Sequence, residues 1–439
     1  MSEPTASRAT GPDGAQRPGT APGRGEAERL DVVVVGAGLL GLATASAVAR
    51  RGRAVTVLEQ ATPGHPGAGS RGSCRIFRLG YPDPRYVAAA QRARVLWHDL
   101  ERRSGRQILF GTPQLTVGPE MSQVAAAMRA AGAPCELLAA AAVTARFPGI
   151  APGGPALLEP ESCVTSASTA LAALAGEVTD LRTGVRVTGL ADDGRQVMLT
   201  TDQGRLTARV VVVCAGPWTS DLLAGRAGGW QGARLPSAPT LEQAAFLGPA
   251  RRADEAGGAN EAGAMASGTD EASEAPGPGQ VSAPRSDLPI FISYGGQAPY
   301  GLPVPGSGLY KIGIHPAGPP VSPDTQSQEA DPVLSGRLAE VARRYLPGLD
   351  PRPARVERCI YDNTPDQDFI LDRVGNVVIG SGTSGHGFKF GPLIGEWLAT
   401  LAGVRPRAGH PADGPPEGGA VAGEFFRLAR LDRFGSLSR

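Results

Sequence analysis

One stretch limits the fold of this chain more than any other: Asp31-Val32-Val33-Val34-Val35-Gly36-Ala37-Gly38-Leu39-Leu40-Gly41. Four consecutive valines read as a strand buried on both faces. A tight glycine turn follows, then a helix of small residues through about Arg50. Gly36 lets the chain turn, Gly38 lets backbone approach a pyrophosphate, and Gly41 lets the helix pack close to the strand. The helix N-terminus offers N–H groups and a partial positive charge to phosphates. A second strand, Ala54 to Leu58, ends at Glu59, roughly 20 residues past the fingerprint, where a ribose hydroxyl needs an acceptor. A Gly-x-Gly-x-x-Gly turn alone also occurs for packing. Strand, glycines, helix, second strand and terminal acid in this order point to a dinucleotide site. Glu59 disfavours a 2′-phosphate, so FAD or NAD fits better than NADP.

The 439 residues, 41% hydrophobic, suffice for a sizeable core and two or three domains. With 43 basic and 42 acidic residues the net charge is +1, which gives no general attraction to nucleic acid or anionic membrane. No apolar run approaches the roughly 20 residues a membrane helix needs. Cys74, Cys135, Cys163, Cys214 and Cys359 are odd in number and widely spaced, so neither a disulfide framework nor a zinc cage is expected, and no metal. Residues 1–29, rich in Gly, Pro, Ala and Thr without an apolar signal core, read as a disordered tail on a cytoplasmic protein.

Further along, Ala61 to Ser73 reads as a loop, and Tyr86 to about Ser104 as a helix with Val87, Val95, Leu96 and Leu100 inward. Ile108–Phe110 and Gln114–Val117 read as a hairpin around Gly111-Thr112-Pro113, and Met121 to Ala131 as a helix. Arg209 to Val213 is another buried strand. Residues 248–287 hold almost no aromatic or β-branched residues and read as a disordered insertion. Leu288–Tyr294, Tyr300–Val304 and Leu309–His315 read as neighbouring antiparallel strands, followed by a helix from Pro332 to about Tyr345. Near the C-terminus Val377–Ser381, the glycine turn Gly382–Gly387 and the helix Gly391–Leu401 repeat the strand–turn–helix logic. That unit brings Gly385, Gly387 and a second helix N-terminus to a cofactor.

Several polar residues stand out, each with a bland reading of its own. Lys311, on an otherwise apolar strand, reads as an edge-strand lysine pointing to water. Cys359 reads as a core cysteine at a strand end. Lys389 and Arg78 read as surface cations beside helices, and Tyr300, His315 and Tyr361 as half-buried polar aromatics.

Five motifs change that weighting: Arg75-Ile76-Phe77-Arg78, Tyr300-Gly301-Leu302-Pro303, Lys311-Ile312-Gly313-Ile314-His315, Cys359-Ile360-Tyr361 and Ser384-Gly385-His386-Gly387-Phe388-Lys389-Phe390. In this order, from about Leu30 to about Leu401, the chain resembles the FAD-dependent amine oxidases of the monomeric sarcosine oxidase and N-methyltryptophan oxidase type, with the related pipecolate oxidases. The resemblance implies that Cys359 forms a thioether to the 8-methyl carbon of the flavin, with Arg358 lowering the thiol pKa. It implies that Lys311 lies near flavin N5 and stabilises superoxide as it forms. Arg78 and Lys389 then grip a substrate carboxylate. Arg75 supports the flavin ring, and Tyr300, His315 and Tyr361 line the substrate pocket, with His315 tuning which protonation state of the amine binds. His386 reads at least as well as a structural residue of its turn. Two departures stand out. Ser70-Arg71 replaces histidines common in sarcosine-type enzymes, and Cys74 replaces a common threonine. The first puts sarcosine itself in doubt as the preferred substrate.

The expected fold is α/β: a Rossmann-type FAD-binding domain from 30–85, 150–235 and 352–405, with a second mixed-sheet (α+β) cap from 86–149 and 236–351 and a C-terminal tail over 406–439. The expected reaction is oxidation of a secondary amino acid, N-methyl or cyclic, by a monomer, with oxygen as acceptor and hydrogen peroxide released. Two alternatives stay open. One is a flavin dehydrogenase or tailoring oxidase for a larger cyclic amine; the other is a flavin subunit that works only with a partner.

Overall fold

The computed structural model describes residues 27–225, 234–250, 288–405 and 426–427. Most of the segments read as disordered, including 251–287 of the insertion, lie outside the described residues. The expected N-terminal tail ends sooner than residue 29. Strand Glu28–Val35 starts within it, and Glu28 pairs with Arg182 at 2.7 Å. The C-terminal segment is likewise not all tail, because Phe426 is buried against Phe369 and Trp397.

Strand Glu28–Val35 is central to a mainly parallel sheet, flanked by Val55–Glu59 and Gly204–Val213. Asp180–Thr183 adds outside Val55–Glu59, and Val377–Ser381 pairs in parallel with the C-terminal half of Gly204–Val213. Side chains alternate across a strand. Val32 and Val34 therefore pack with the helices Leu39–Arg50 and Gly391–Leu401, while Val33 and Val35 meet Leu190, Leu199 and Leu223 on the other face. Both faces are covered, which is why the strand is unbroken valine. Arg51, at the end of the first helix, donates to the buried Glu396 of the last one at 2.6 Å.

The second sheet is mixed and has eight strands, in the order Arg355–Asn363, Ala238–Leu247, Tyr310–Ile314, Pro299–Pro303, Ile290–Ser293, Gln114–Val117, Ala156–Glu159 and Glu136–Leu138. Three expectations change here. Arg355–Asn363, expected with the nucleotide sheet, pairs along its whole length with Ala238–Leu247 instead. Ala156–Glu159, from the expected 150–235 block, also joins this sheet. Leu109–Gly111 and Gln114–Val117 form no hairpin: the first pairs with Cys163–Ser166 in a small sheet with Cys74–Phe77, the second with Ile290–Ser293 and Ala156–Glu159.

Helix Pro84–Ser104 starts two residues before the expected Tyr86, because Asp83 caps it through the Arg85 N–H and Pro84 occupies the first turn. Val95 points outward at 54% exposed. The inward stripe is Val87, Ala90, Ala93, Leu96, Trp97 and Leu100, which faces the nucleotide-domain core although 86–149 was expected in the cap. Among the described residues no helix is long and apolar enough to cross a membrane.

Candidate active site

A cleft opens at the carboxyl ends of the parallel strands, lined by Gly36, Gly38, Glu59, Ser70 and the glycine turn around Gly382. Such a crevice is the usual ligand position in an open α/β sheet. Gly36 has φ +99°, and a Cβ there would lie 2.5 Å from the Cys214 carbonyl oxygen. A Cβ on Gly41 would lie 1.8 Å from the Gly36 carbonyl oxygen, so helix and turn touch only because residue 41 is glycine. Gly38 is the N-cap and supplies no side-chain cap. Glu59, buried beneath the turn, accepts from the Ala37 N–H at 2.7 Å and the Ala61 N–H at 2.9 Å. Ser70, one of the two departures, accepts from the Leu39 N–H at 3.0 Å. A glycine turn ahead of a helix N-terminus, with a carboxylate at the next strand end, fits a dinucleotide.

A second cavity of about 540 Å³ lies between the cap sheet and this cleft. The two share Arg75, Tyr361, Gly385 and Phe388 as walls. Lys311, Cys359, Arg78, Lys389, Tyr300 and His315 all line the second cavity, so the structure brings the candidate residues of five separated motifs together.

Lys311 does not point to water. Its strand is interior, between Ala238–Leu247 and Pro299–Pro303, and the side chain is buried. Its Nζ donates to the Cys74 carbonyl at 3.4 Å, lies 5.4 Å from the Phe246 ring centroid and 3.9 Å from Glu357. Burial lowers its pKa, and Arg75 adds to that effect. Cys359 is on the same sheet face. Arg358 is not the cation beside it, because adjacent strand residues face opposite ways. The Arg358 guanidinium turns toward Gln243 and the Leu241 carbonyl. Burial raises the Cys359 pKa, and the cations that oppose this are Lys311 and Arg75. Arg75 is tied to the Cys74 and Gly69 carbonyls and stands over the Phe388 ring at 5.5 Å.

Arg78 and Lys389 form one wall. The Arg78 guanidinium donates to the Gly80 carbonyl and the Tyr294 hydroxyl and lies 4.0 Å from the Tyr81 ring centroid. Behind it the Gly80 N–H donates to the buried Glu159 at 2.8 Å. Lys389, also buried, donates to the Tyr81 hydroxyl at 2.9 Å and the His386 carbonyl at 2.8 Å. Its own carbonyl accepts from Trp97 Nε1 at 2.7 Å, which anchors the turn to helix Pro84–Ser104. Burial, and then Arg78, hold the Lys389 pKa well below the usual lysine range. Tyr81, Tyr294, Trp97 and Glu159 have no spacing in the sequence that marks them.

His315 sits opposite, 5.4 Å from the Tyr361 ring. Burial, followed by the charges of Arg78 and Lys389, pushes its pKa down to about 4, so the imidazole is neutral at pH 7. Tyr300 and Tyr361 hydrogen-bond to each other, and the Tyr300 ring lies across Gly313, its cross-strand partner, where a Cβ would come within 2.4 Å. Gly387 packs on Thr383 in the turn that carries Lys389. No group of His, Cys, Asp and Glu among the described residues is arranged to hold a metal.

A parallel-sheet dinucleotide cleft that opens onto a cation-lined cavity under a mixed-sheet cap defines a two-domain oxidoreductase. The model of the FAD dependent oxidoreductase family matches residues 31–401, and the chain belongs to that family. It is 32% identical over 395 residues to peroxisomal sarcosine oxidase of Mus musculus, covering 85% of this chain and 92% of that one. It is 30% identical over 394 residues to monomeric sarcosine oxidase of Bacillus sp. (strain NS-129), with the same coverage. Among solved structures, the open form of NikD, an unusual amino acid oxidase essential for nikkomycin biosynthesis, superposes with a TM-score of 0.68 at 28% identity, covering 85% of this chain and 94% of that one.

Proposed function

We propose that this chain, acting as a monomer, oxidises secondary amino acids with oxygen as acceptor, in the manner of the sarcosine oxidases it is similar to. The observation that carries the reading is the convergence of Arg78, Lys389, Lys311, Cys359 and His315 on one cavity that shares a wall with the dinucleotide cleft.

FAD held in that cleft would supply the redox chemistry, two-electron oxidation of the carbon–nitrogen bond coupled to reduction of oxygen to hydrogen peroxide. Gly38 would let the pyrophosphate approach the turn that Gly36 and Gly41 shape, and Glu59 would meet the ribose. Arg78 and Lys389 orient the substrate through its carboxylate; two charge-assisted contacts fix both position and direction. Neutral His315 accepts hydrogen bonding from the amine without adding a like charge, which favours the unprotonated amine. Lys311 holds a positive charge where negative charge develops on oxygen. Cys359 would carry the covalent link, with Lys311 and Arg75 opposing the effect of burial on its thiol. The product imine hydrolyses to aldehyde and amine in water.

Five unpaired cysteines accord with the cytoplasm. An anaerobic titration of the purified chain with sarcosine, N-methyltryptophan, proline and pipecolate is the test. Bleaching of the flavin by at least one, with peroxide on readmission of air, is expected. No bleaching by any of them would refute the assignment and favour a flavin subunit that needs a partner.

A further inference from the structure

We propose that Tyr81 and His386 are positioning residues of the carboxylate clamp, linked in a chain from Lys389 through the Tyr81 hydroxyl and the His386 ring to the Gln367 carbonyl. The inference rests on the reading that Arg78 and Lys389 grip a carboxylate.

The hydrogen-bond directions follow from Lys389. With a carboxylate bound beside it Lys389 is an ammonium, which only donates, so Nζ gives one proton to Tyr81 Oη at 2.9 Å and one to the His386 carbonyl at 2.8 Å. Tyr81, having accepted, points its own proton at His386 Nδ1, 3.2 Å away. That nitrogen must then be bare, and the ring hydrogen sits on Nε2, which donates to the Gln367 carbonyl at 2.8 Å. A carbonyl can only accept, so the chain is consistent from both ends. The third ammonium proton remains for a ligand oxygen.

Tyr81 also separates the two cations. Its ring centroid is 4.0 Å from the Arg78 guanidinium, while its hydroxyl edge meets Lys389 Nζ, so the ring stands between the two charges and its face stabilises Arg78. The surroundings hold the chain rigid. Tyr86 stacks on Tyr81 at 5.0 Å and donates to Asp368 at 2.7 Å, while Phe369 and Phe390 close the apolar sides of His386. The charged and titratable groups facing His386 are Lys389, Arg78, His315 and Tyr86, with Asp366 and Asp368 on the adjoining loop. Burial and then Lys389 disfavour a protonated imidazole, which keeps Nδ1 an acceptor.

The test uses the flavin-loaded enzyme and acetate as the probe, with binding read from the flavin absorbance. Tyr81→Phe keeps the ring stacking and removes only the hydroxyl. It is expected to weaken acetate binding about tenfold or more, the usual effect of losing a hydrogen bond to a charged group. The ratio of kcat/KM for an N-methyl amino acid to that for the matched N-methyl amine should fall equally. His386→Leu should behave alike. His386→Gln, whose amide can accept from Tyr81 and donate to Gln367, should recover binding to within about threefold of wild type. If wild type binds acetate and both Tyr81→Phe and His386→Leu bind it within about twofold of that, the chain has no positioning role. Equal loss in His386→Gln and His386→Leu also overturns it. If wild type does not bind acetate, the carboxylate reading fails and takes this inference with it.

Discussion

Gly385→Ala is the sharpest single test of how the two cavities are joined. The residue has φ +72°, and an added Cβ would lie 2.4 Å from Tyr361 Cε2 and 2.7 Å from His315 Cε1. Ordinary contact begins near 3.4 Å, so the Tyr361 ring must retreat by 3.4 − 2.4, or 1.0 Å. It has little room, because His315 packs against it at 5.4 Å. The left-handed backbone adds about 1–2 kcal/mol and overpacking about 1–3 kcal/mol, together about 2–5 kcal/mol of lost stability. A misplacement of about 1 Å at a reacting centre costs on the order of 100-fold in rate. Anaerobic stopped-flow reduction by the best amine, normalised to flavin content, should therefore slow about 100-fold, with a lower denaturant midpoint. Reduction within about threefold of wild type would refute the reasoning, since Tyr361 would then not define the wall between substrate and flavin.

Other outcomes follow from the same geometry. Lys311→Met should leave reduction by the amine nearly intact and slow reoxidation by oxygen about 100-fold, read by mixing reduced enzyme with oxygenated buffer; unchanged reoxidation would remove Lys311 from that role. Acid precipitation should leave yellow colour in the wild-type pellet and, for Cys359→Ala, in the supernatant; colour in the wild-type supernatant would exclude the thioether. His315 is harder to protonate in the fold than in the unfolded chain, whose imidazole titrates near 6.5. The unfolded state therefore binds more protons as pH falls from about 6.5 to about 4, and stability drops across that window and not above it. Urea midpoints against pH should show this, with a shallower slope in His315→Asn; an identical slope would mean the imidazole is not buried neutral.

The Val32–Val35 run, the glycine turn and Glu59 were legible in the sequence because a strand covered on both faces and a phosphate cradle each demand particular residue types at fixed spacing. The helices Pro332–Tyr345 and Gly391–Leu401 were legible in the same way, from period and end signals. The family motifs gave the candidate residues as separate short strings. What they did not carry was direction. Arg358 was read as the cation beside Cys359, yet strand alternation turns it to the far face. Lys311 carries the same residue type whether its strand is an edge or an interior one, and only the pairing with Ala238–Leu247 buries it.

Local chemistry along the chain was enough to set the nucleotide-binding unit and the class of cofactor, since the constraints there act between residues close in sequence. The clamp was decided in three dimensions. Tyr81 meets His386, Glu159 backs Gly80, and Trp97 holds the Lys389 turn across separations of 305, 79 and 292 residues. Such contacts depend on which strand edges and helix faces the sheets bring together, and no periodicity or spacing along the chain encodes that.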